Sequence, residues 1–491
     1  MYRERIKDAN ALLTLTHVCG WWRELALACS SLWCNIEICR PRLAREFLRR
    51  RGTSGFLSFV SSPGQHLPMP SEFGVLLRSA ERVRQLDVAL LPADMRLFIL
   101  RMKDYFTNIS KMRLIQTTTK QPFEDIHIPH ALPSLTQLSL EGVTVRWNSG
   151  FKLTVLELCR LSGSKAPSVK ELQLMFSNNP QLEKISIDRV FFRPSNISTL
   201  VHELPHLRIL RLAVLSSCTG HILAGLKTPT FAQIKIKIWD ENRHMTSVFP
   251  MRCGQFHPCV TLAKTSTLSI RPRRIIIRHS DTPPFSERDV PLVIELSQST
   301  SVAIFPTVSS VFSLFHLTTL ELDFMHPDFF HPEAAQESLL FTRNFLSPLL
   351  NLVTLRVCQA LADILVPVLG ESTIFPLAVC PRLAWLSFGD PRQMWWDFPA
   401  ATNGSIAGSW LGPIIVGLQA RHTITRAKLE TVEFVGVGHI SRDAANHLSP
   451  FVDNIFNSVL CPTPPPCTVC SKVPSRHVGW RIPPSPFLPV I

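Results

Sequence analysis

A chain of 491 residues is long enough for about three ordinary domains or for one extended repeat array. Hydrophobic residues make up 45% of it and charged residues only 18%, which excludes the intrinsically disordered class. The formal net charge of +14 is carried by two local arginine clusters and by scattered residues, without interleaved aromatic side chains, so we predict no nucleic-acid partner.

The first predicted element is an amphipathic helix from about Asn10 to Ala28. Apolar residues recur on one face of it at helical spacing: Leu15, Val18, Trp22 and Leu25. Ser30 and Ser31 supply capping chemistry for a short second helix. That second helix is predicted to hold three large apolar residues: Leu32, Trp33 and Ile36. So few apolar residues make a very small core, and the two helices need a neighbour to cover them.

The same segment carries three pairs at characteristic positions: Val18-Cys19, Trp22-Arg23 and Leu32-Trp33. Together they resemble the second and third helices of an F-box-like domain of the type common in mushroom-forming fungi. Gly20 and Trp21 stand where two basic residues are usual, and the family's opening Leu-Pro-x-Glu-Ile helix has no counterpart. We therefore expect a short all-α module, residues 1–40, that lacks its first helix.

The resemblance implies that the chain is a substrate receptor of an SCF-type ubiquitin ligase. In such a complex the helical module docks to a Skp1-type adaptor, and the rest of the chain selects an unknown target protein. The residues that the resemblance assigns either to adaptor binding or to support of the missing first helix are Leu15, Val18, Trp22, Leu25, Leu32 and Trp33.

Residues 41–80 form a predicted connector, because basic, Gly, Ser and Pro residues loosen the pattern there. One strand from Phe56 to Val60 and one helix from Glu72 to Ala80 are predicted inside it.

From residue 81 a repeat of the form apolar-x-x-apolar-x-apolar appears eleven times. The matches are Val83/Leu86/Val88, Ile109/Met112/Leu114, Leu135/Leu138/Leu140, Leu153/Leu156/Leu158, Leu182/Ile185/Ile187, Leu207/Leu210/Leu212, Phe231/Ile234/Ile236, Leu317/Leu320/Leu322, Leu352/Leu355/Val357, Leu383/Leu386/Phe388 and Leu429/Val432/Phe434. The first seven central residues are 18 to 29 positions apart, close to the period of leucine-rich repeats. The last two apolar positions alternate along a short strand and so share one face of a sheet.

The predicted fold is therefore an α/β leucine-rich-repeat-like solenoid, a horseshoe, over residues 81–440. Connectors, often helical, must cover the apolar face of each strand. Residues 166–180 show such a connector: Pro167 and Ser168 begin a helix, and Asn178-Asn179-Pro180 end it. Beyond Lys237 the register degrades, which indicates either inserted loops or a broken array before the last units. Residues 441–491 are predicted to hold the end of a helix and a Pro-rich tail.

No catalytic signature is recognisable, so we predict no enzyme, no cofactor and no metal. A group with zinc-ligand chemistry lies in the tail: Cys461, Cys467, Cys470 and His477. It is incomplete as a zinc motif because the single CxxC has no second well-spaced pair. No apolar stretch reaches the ~18 residues of a membrane span, and the first residues do not have the pattern of a signal peptide. Cysteines placed inside apolar runs favour a reduced cytoplasmic or nuclear location.

A second candidate surface follows a repeat strand and is rich in large side chains: Met394, Trp395, Trp396 and Phe398. These side chains either contact a partner protein or fill a gap in an irregular core. The alternative to the ubiquitin-ligase interpretation is a leucine-rich-repeat interaction protein unconnected with ubiquitination, whose front helices only cap the array.

Overall fold

The structure is a computed structural model of the chain. It describes residues 14–238 with short gaps, of which the longest are 118–126 and 194–200. It also describes residues 265–271, 274–279, 292–296, 308, 314–389 with gaps of which the longest is 323–338, and 411–458 without 436–441.

Twenty-one strands occur in these residues, and seventeen of them form one sheet. In the first half of the chain the strands are β1 (Asn35–Glu37), β2 (Leu57–Val60), β3 (Val83–Leu90), β4 (Lys111–Gln116), β5 (His127–Ile128), β6 (Gln137–Glu141), β7 (Thr144–Val145), β8 (Val155–Cys159), β9 (Lys184–Asp188), β10 (His202–Glu203), β11 (Ile209–Val214), β12 (Leu226–Lys227) and β13 (Gln233–Ile238). The remaining strands are β14 (Thr265–Arg271), β15 (Arg274–His279), β16 (Leu292–Leu296), β17 (Thr319–Leu322), β18 (Thr354–Cys358), β19 (Trp385–Gly389), β20 (Leu429–Val435) and β21 (Val452–Ser458).

The large sheet consists of two long parallel runs. The first run joins ten strands through nine parallel pairings, in the order β1, β2, β3, β4, β6, β8, β9, β11, β13, β16. The second run joins six strands through five parallel pairings, in the order β14, β17, β18, β19, β20, β21. β15 lies between β16 and β14 and is antiparallel to both. The fold is therefore an α/β protein with long parallel sheets, consistent with a leucine-rich-repeat-like array.

The second and third residues of all eleven repeat matches lie on strands of this sheet, and the central residues of each run align with one another. Leu138 is opposite Leu156, Leu156 is opposite Ile185, and Ile185 is opposite Leu210. In the second run Leu320, Leu355 and Leu386 align in the same way. These residues are buried, so the prediction that the strands stack side by side in one ladder is confirmed.

The region beyond Lys237 interrupts the ladder without breaking it. β14 and β15 form a hairpin, and β16 then returns beside β13, so that the antiparallel strand β15 joins the last strand of the first run to the first strand of the second. β21 also extends the sheet beyond residue 440, where the predicted array ends.

The described helices lie in the N-terminal segment and in the connectors between strands. They are α1 (Gly20–Ala28), α2 (Pro41–Arg51), α3 (Pro92–Met102), α4 (Val169–Asn178), α5 (Ser216–Ala224), α6 (Ala362–Leu369), α7 (Leu411–Thr425) and α8 (Arg442–Leu448). α4 begins and ends as predicted: the Ser168 hydroxyl accepts a hydrogen bond from the Glu171 backbone N–H, and the Glu171 carboxylate accepts one from the Ser168 N–H. Such reciprocal caps satisfy two backbone donors that have no partner inside the helix.

Two predictions for the N-terminal segment are wrong. The single helix over Asn10 to Ala28 is divided at Cys19, whose extended backbone (φ −159°, ψ 169°) begins α1 at Gly20. The second helix is a single 3₁₀ turn, Ser30–Trp33, and Ile36 lies in β1, buried and opposite Phe59 of β2. Strand pairing wins here because a β-branched residue packs well in a sheet, and it places the first strand of the ladder inside the segment predicted to be all-α.

Candidate functional site

The residues that the resemblance assigns to adaptor binding divide into exposed and buried ones. Val18, Trp22 and Leu25 are exposed, Leu32 is half-buried against the core, and Trp33 is fully buried. Leu15 lies outside the described residues. Of the five described side chains of this set, three are therefore available on the surface.

Trp33 anchors the N-terminal segment. Its indole Nε1 donates a hydrogen bond to the carbonyl oxygen of Ala26 at 2.9 Å. Its ring packs edge-on against Phe47 at a centroid distance of 5.0 Å, and the Arg50 guanidinium lies 4.4 Å from the ring centroid. These contacts tie α1 to α2, so the interpretation of Trp33 as a partner-facing residue is corrected to a structural role.

A large apolar surface remains on α1 and the turn before it. We call Val18, Trp21, Trp22 and Leu25 the tryptophan surface; their exposed fractions are 60%, 64%, 41% and 48%. The two indoles contact each other edge to face, with ring centroids 5.4 Å apart. Because Trp21 and Trp22 lie one turn before Leu25, the three side chains of α1 share one face of the helix.

Trp21 is the residue of this surface that sequence reasoning missed. The family resemblance marks it only as a departure from a basic pair, although Val18, Trp21, Trp22 and Leu25 follow the i, i+3, i+4, i+7 pattern of a helical face. That spacing alone could have identified it.

A second candidate surface is the open face of the sheet, the face opposite the buried repeat residues. Side chains on this face form ion pairs between adjacent strands. The pairs are Arg113 with Asp87 at 3.9 Å, Lys184 with Glu157 at 2.6 Å and Arg356 with Glu321 at 3.0 Å. Burial raises the pKa of Glu157, but the hydrogen bond and charge of Lys184 outweigh this, so the net shift lowers the pKa. Cross-strand pairs of this kind stabilise a sheet by roughly 0.2–1 kcal/mol each.

One pair of neighbouring strands departs from this pattern. Arg211 of β11 lies directly opposite Lys235 of β13, and both side chains are exposed. At the other described central positions of the first run, from β2 to β9, the side chains are only half-exposed. We call Arg211 and Lys235 the basic pair.

A hollow of about 550 Å³ adjoins the basic pair at the edge where β11 and β13 begin. It is lined by Glu183, Pro205, His206, Arg208, Ile209 and Gln233. Ile209 and Gln233 lie opposite each other, one step of the same face before the basic pair. The hollow and the basic pair therefore form one continuous surface.

The described residues offer little for bond chemistry. No group of three or more His, Cys, Asp or Glu side chains with metal-binding geometry occurs among them. Burial raises the pKa of the Cys39 thiol to about 12, that of Cys159 to about 11 and that of Cys380 to about 12. Such thiols stay protonated at neutral pH and are poor nucleophiles.

Two predicted groups lie outside the described residues. They are the large side chains Met394, Trp395, Trp396 and Phe398, and the tail group Cys461, Cys467, Cys470 and His477. Both predictions stay open.

The sequence matches no protein-family model, and a search of curated proteins finds no match either. Within the described part of the chain, no helix is long and apolar enough to cross a membrane.

Proposed function

We propose that the protein is a non-catalytic protein-binding scaffold that serves as a substrate receptor of an SCF-type ubiquitin ligase. In this proposal the N-terminal segment is a divergent F-box-like module that docks to a Skp1-type adaptor through the tryptophan surface. The strand ladder is a horseshoe-shaped leucine-rich-repeat solenoid that binds a target protein on its open face.

The tryptophan surface carries the proposal. Two indoles, a valine and a leucine lie exposed together on one short segment, and leaving them in water is unfavourable by roughly 25 cal/mol for each Å² of apolar area. Trp is enriched at the centres of protein interfaces. Val18, Trp22 and Leu25 are also positions at which the F-box resemblance places the adaptor contact.

The open face supports the second half of the proposal. Its half-exposed polar and charged side chains in the first run form an extended surface on a rigid sheet. Repeat proteins commonly use an extended face of this kind to bind other proteins.

The state of the cysteines supports the proposal that the protein acts in the cytoplasm or nucleus. The eight described cysteines lie outside disulfide bonds, and Cys358 and Cys380 are buried in the core. Buried reduced cysteines act as small apolar residues, as is usual in a reducing compartment.

One observation favours a second function, a repeat scaffold unconnected with ubiquitination. β1 joins the sheet through β2, and Trp33 is buried against α2. The front segment thus continues the ladder, and in the second function α1 is a cap that closes the end of the array.

Adaptor binding by the full chain separates the two functions. Biolayer interferometry with a purified Skp1-type adaptor should show association that the double variant Trp21→Ala/Leu25→Ala weakens by at least about 100-fold, since central interface residues contribute about 2 kcal/mol or more each. The matched control is Leu100→Ala/Leu174→Ala, which removes two leucines exposed elsewhere and should leave the affinity unchanged. If the unaltered chain does not bind the adaptor, the ubiquitin-ligase role is refuted and the repeat-scaffold function stands.

A further inference from the structure

The helix that follows the first strand of the ladder exposes a row of arginines. α2 packs against the core through Ala44 and Phe47, which are buried. Arg42, Arg45 and Arg49 follow the i, i+3, i+7 pattern and so lie together on the opposite face of the helix, where all three are exposed. We call these three residues the arginine stripe. Its first and last members are about 10 Å apart along the helix axis.

The arginine stripe is unfavourable for the helix that carries it. Like charges three or four residues apart destabilise a helix, and a cation in the first turn, where Arg42 lies, opposes the helix dipole. α2 has no acidic residue in its first turn. Its one carboxylate, Glu46, is paired with Arg49 at 2.6 Å and with Arg50 at 2.7 Å. The stability of the helix therefore does not account for the stripe.

Two members of the stripe keep their charges available to a partner. Among the described residues, the side chains of Arg42 and Arg45 take part in no ion pair and no hydrogen bond. Arg50 of the same helix has a role inside the fold, because its guanidinium lies over the Trp33 ring. The exposed guanidinium groups are planar forks of N–H donors, and their geometry matches that of a carboxylate.

The arginine stripe and the tryptophan surface belong to one packed unit. Trp33 contacts both helices, because its indole N–H donates to the Ala26 carbonyl of α1 and its ring packs on Phe47 of α2. Specific interfaces bury about 800 Å² on each partner and use about 20–30 residues a side, whereas α1 has nine residues. A partner that docks on the tryptophan surface must therefore extend beyond α1, and α2 is the helix tied to α1 through Trp33.

The length of the stripe favours a protein surface over a nucleic acid. The stripe covers two turns of one helix, whereas nucleic-acid strands are bound by longer cationic tracks with aromatic side chains on which bases stack. The one aromatic residue of α2, Phe47, is buried. A short row of guanidinium groups beside an apolar surface instead fits a protein interface whose apolar centre has a charged rim.

We propose that the arginine stripe contacts a patch of aspartate and glutamate residues on the adaptor that docks on the tryptophan surface. This inference rests on the proposed function, since it names the chemistry of the adaptor surface beside the apolar contact. The carboxylates accept hydrogen bonds from the guanidinium groups of Arg42 and Arg45. Because these groups are exposed, their main effect is to speed the encounter of the two proteins.

Biolayer interferometry of the full chain with a purified Skp1-type adaptor tests the proposal through the association rate. At about 50 mM NaCl, Arg42→Gln/Arg45→Gln should lower the association rate constant by at least about threefold. The difference should disappear at about 1 M NaCl, where charges are screened within about 3 Å. The matched control, Arg208→Gln/Arg211→Gln, removes two exposed arginines from the ladder and should change the rate by less than about 1.5-fold. Equal losses in both variants would show that only net charge matters and would overturn the proposal.

The dissociation rate and the thermal unfolding midpoint separate binding from folding. Arg42→Gln/Arg45→Gln should leave the dissociation rate within about twofold, whereas Trp21→Ala/Leu25→Ala should raise it at both salt concentrations. The midpoint of the glutamine variant should stay level or rise, because a first-turn cation and a like-charge pair are removed from α2. A midpoint that falls by several degrees would make the stripe structural and would refute the inference.

Two other ligands and the unaltered chain complete the experiment. If the glutamine variant keeps its adaptor rates but loses binding to phosphatidylserine vesicles or to octauridylate, the stripe is reassigned to lipid or RNA and the proposal fails. An unaltered chain that does not bind the adaptor refutes both the ubiquitin-ligase role and the acidic contact. A chain that binds the adaptor equally fast with and without Arg42 and Arg45 refutes only the acidic contact.

Discussion

The two parallel runs share one strand pattern but differ on their open face. In the first run the serine at the central position of β9, Ser186, is half-exposed. In the second run the equivalent serine of β19, Ser387, is buried, as is Glu321 of β17, whereas Arg356 of β18 and Glu433 of β20 are half-exposed. The same repeat therefore leaves the central open-face positions half-exposed from β2 to β9 and buries two of the four in the second run from β17 to β20.

The segments that connect the strands also differ between the two runs. The connectors of the first run include the helices α3, α4 and α5 as well as the two-stranded pairs β5 with β7 and β10 with β12. The second run has two helices, α6 and α7, that contact each other closely. Arg421 of α7 is buried and donates hydrogen bonds to the carbonyl oxygens of Val379 and Cys380 at 2.8 and 2.9 Å. The close approach of α6 and α7 therefore constrains the connectors of the second run.

Gly417→Ala should have the largest effect on this difference. A Cβ atom at Gly417 would lie 2.5 Å from the carbonyl oxygen and 2.8 Å from the carbonyl carbon of Val366, so α6 and α7 would have to separate. We expect a loss of about 3 kcal/mol in the free energy of unfolding, the upper end of overpacking costs. Urea unfolding followed by circular dichroism measures it.

Gly412→Ala is the matched control because Gly412 is on the same helix and its added methyl group would meet open space. It should be neutral or slightly stabilising, since alanine favours a helix by up to about 1 kcal/mol over glycine. Equal losses at both positions would mean that α6 and α7 do not constrain the second run as described.

Ser168→Ala should have a smaller effect, because it removes one helix cap in the first run. The loss of the reciprocal hydrogen bonds with Glu171 should cost about 1 kcal/mol. Lys170→Ala, in the same turn but exposed and outside the cap, should stay within about 0.5 kcal/mol. A loss as large as that of Gly417→Ala would remove the contrast between the runs.

The effect of Ser168→Ala should depend on pH. Burial raises the pKa of Glu171, but hydrogen bonds from Ser168 and Arg193 outweigh this and lower the pKa below its ordinary value of 4.5. A lowered carboxyl pKa stabilises the fold above the ordinary value, and this stabilisation is lost as the pH falls through the folded-state pKa. The difference between the two proteins should therefore be full at pH 7 and should shrink in acid.

The sequence predicted strands that have apolar residues at all three positions of the repeat. These strands are recognisable because burial of one strand face requires apolar residues at those positions. Several missed strands lack one position. β21 has Val452 and Ile455 but Asn457 in third place, and β14 has Leu268 and Ile270 but begins at Thr265. The crossing of the inserted hairpin also depends on long-range pairing that no local pattern encodes.

β1 was missed for a different reason. Trp33, Ile36 and Ile38 fit the repeat template and are buried, but the helical interpretation of the segment took precedence. The same interpretation assigned Trp33 to adaptor binding, while the shared face of Trp21, Trp22 and Leu25 within α1 follows from helical spacing. A helical period distinguishes faces only where the helix continues, and Cys19 and Cys34 interrupt it here.

Two single substitutions to cysteine test directly whether the open face is less accessible in the second run than in the first. Ser186→Cys and Ser387→Cys each place one thiol at the central open-face position of a strand, one half-exposed and one with 1% exposure. Thiol reaction requires access and a charged thiolate, so the thiol introduced at position 186, beside the Arg211 cation, should react with a maleimide at least about tenfold faster than the thiol introduced at position 387. Intact-mass spectrometry counts the maleimide labels on each variant before and after unfolding in urea. The labels on the unaltered chain, which has 13 cysteines, are subtracted. Equal rates in the folded protein would show that the second run exposes its open face as freely as the first, and a partner could then bind either run.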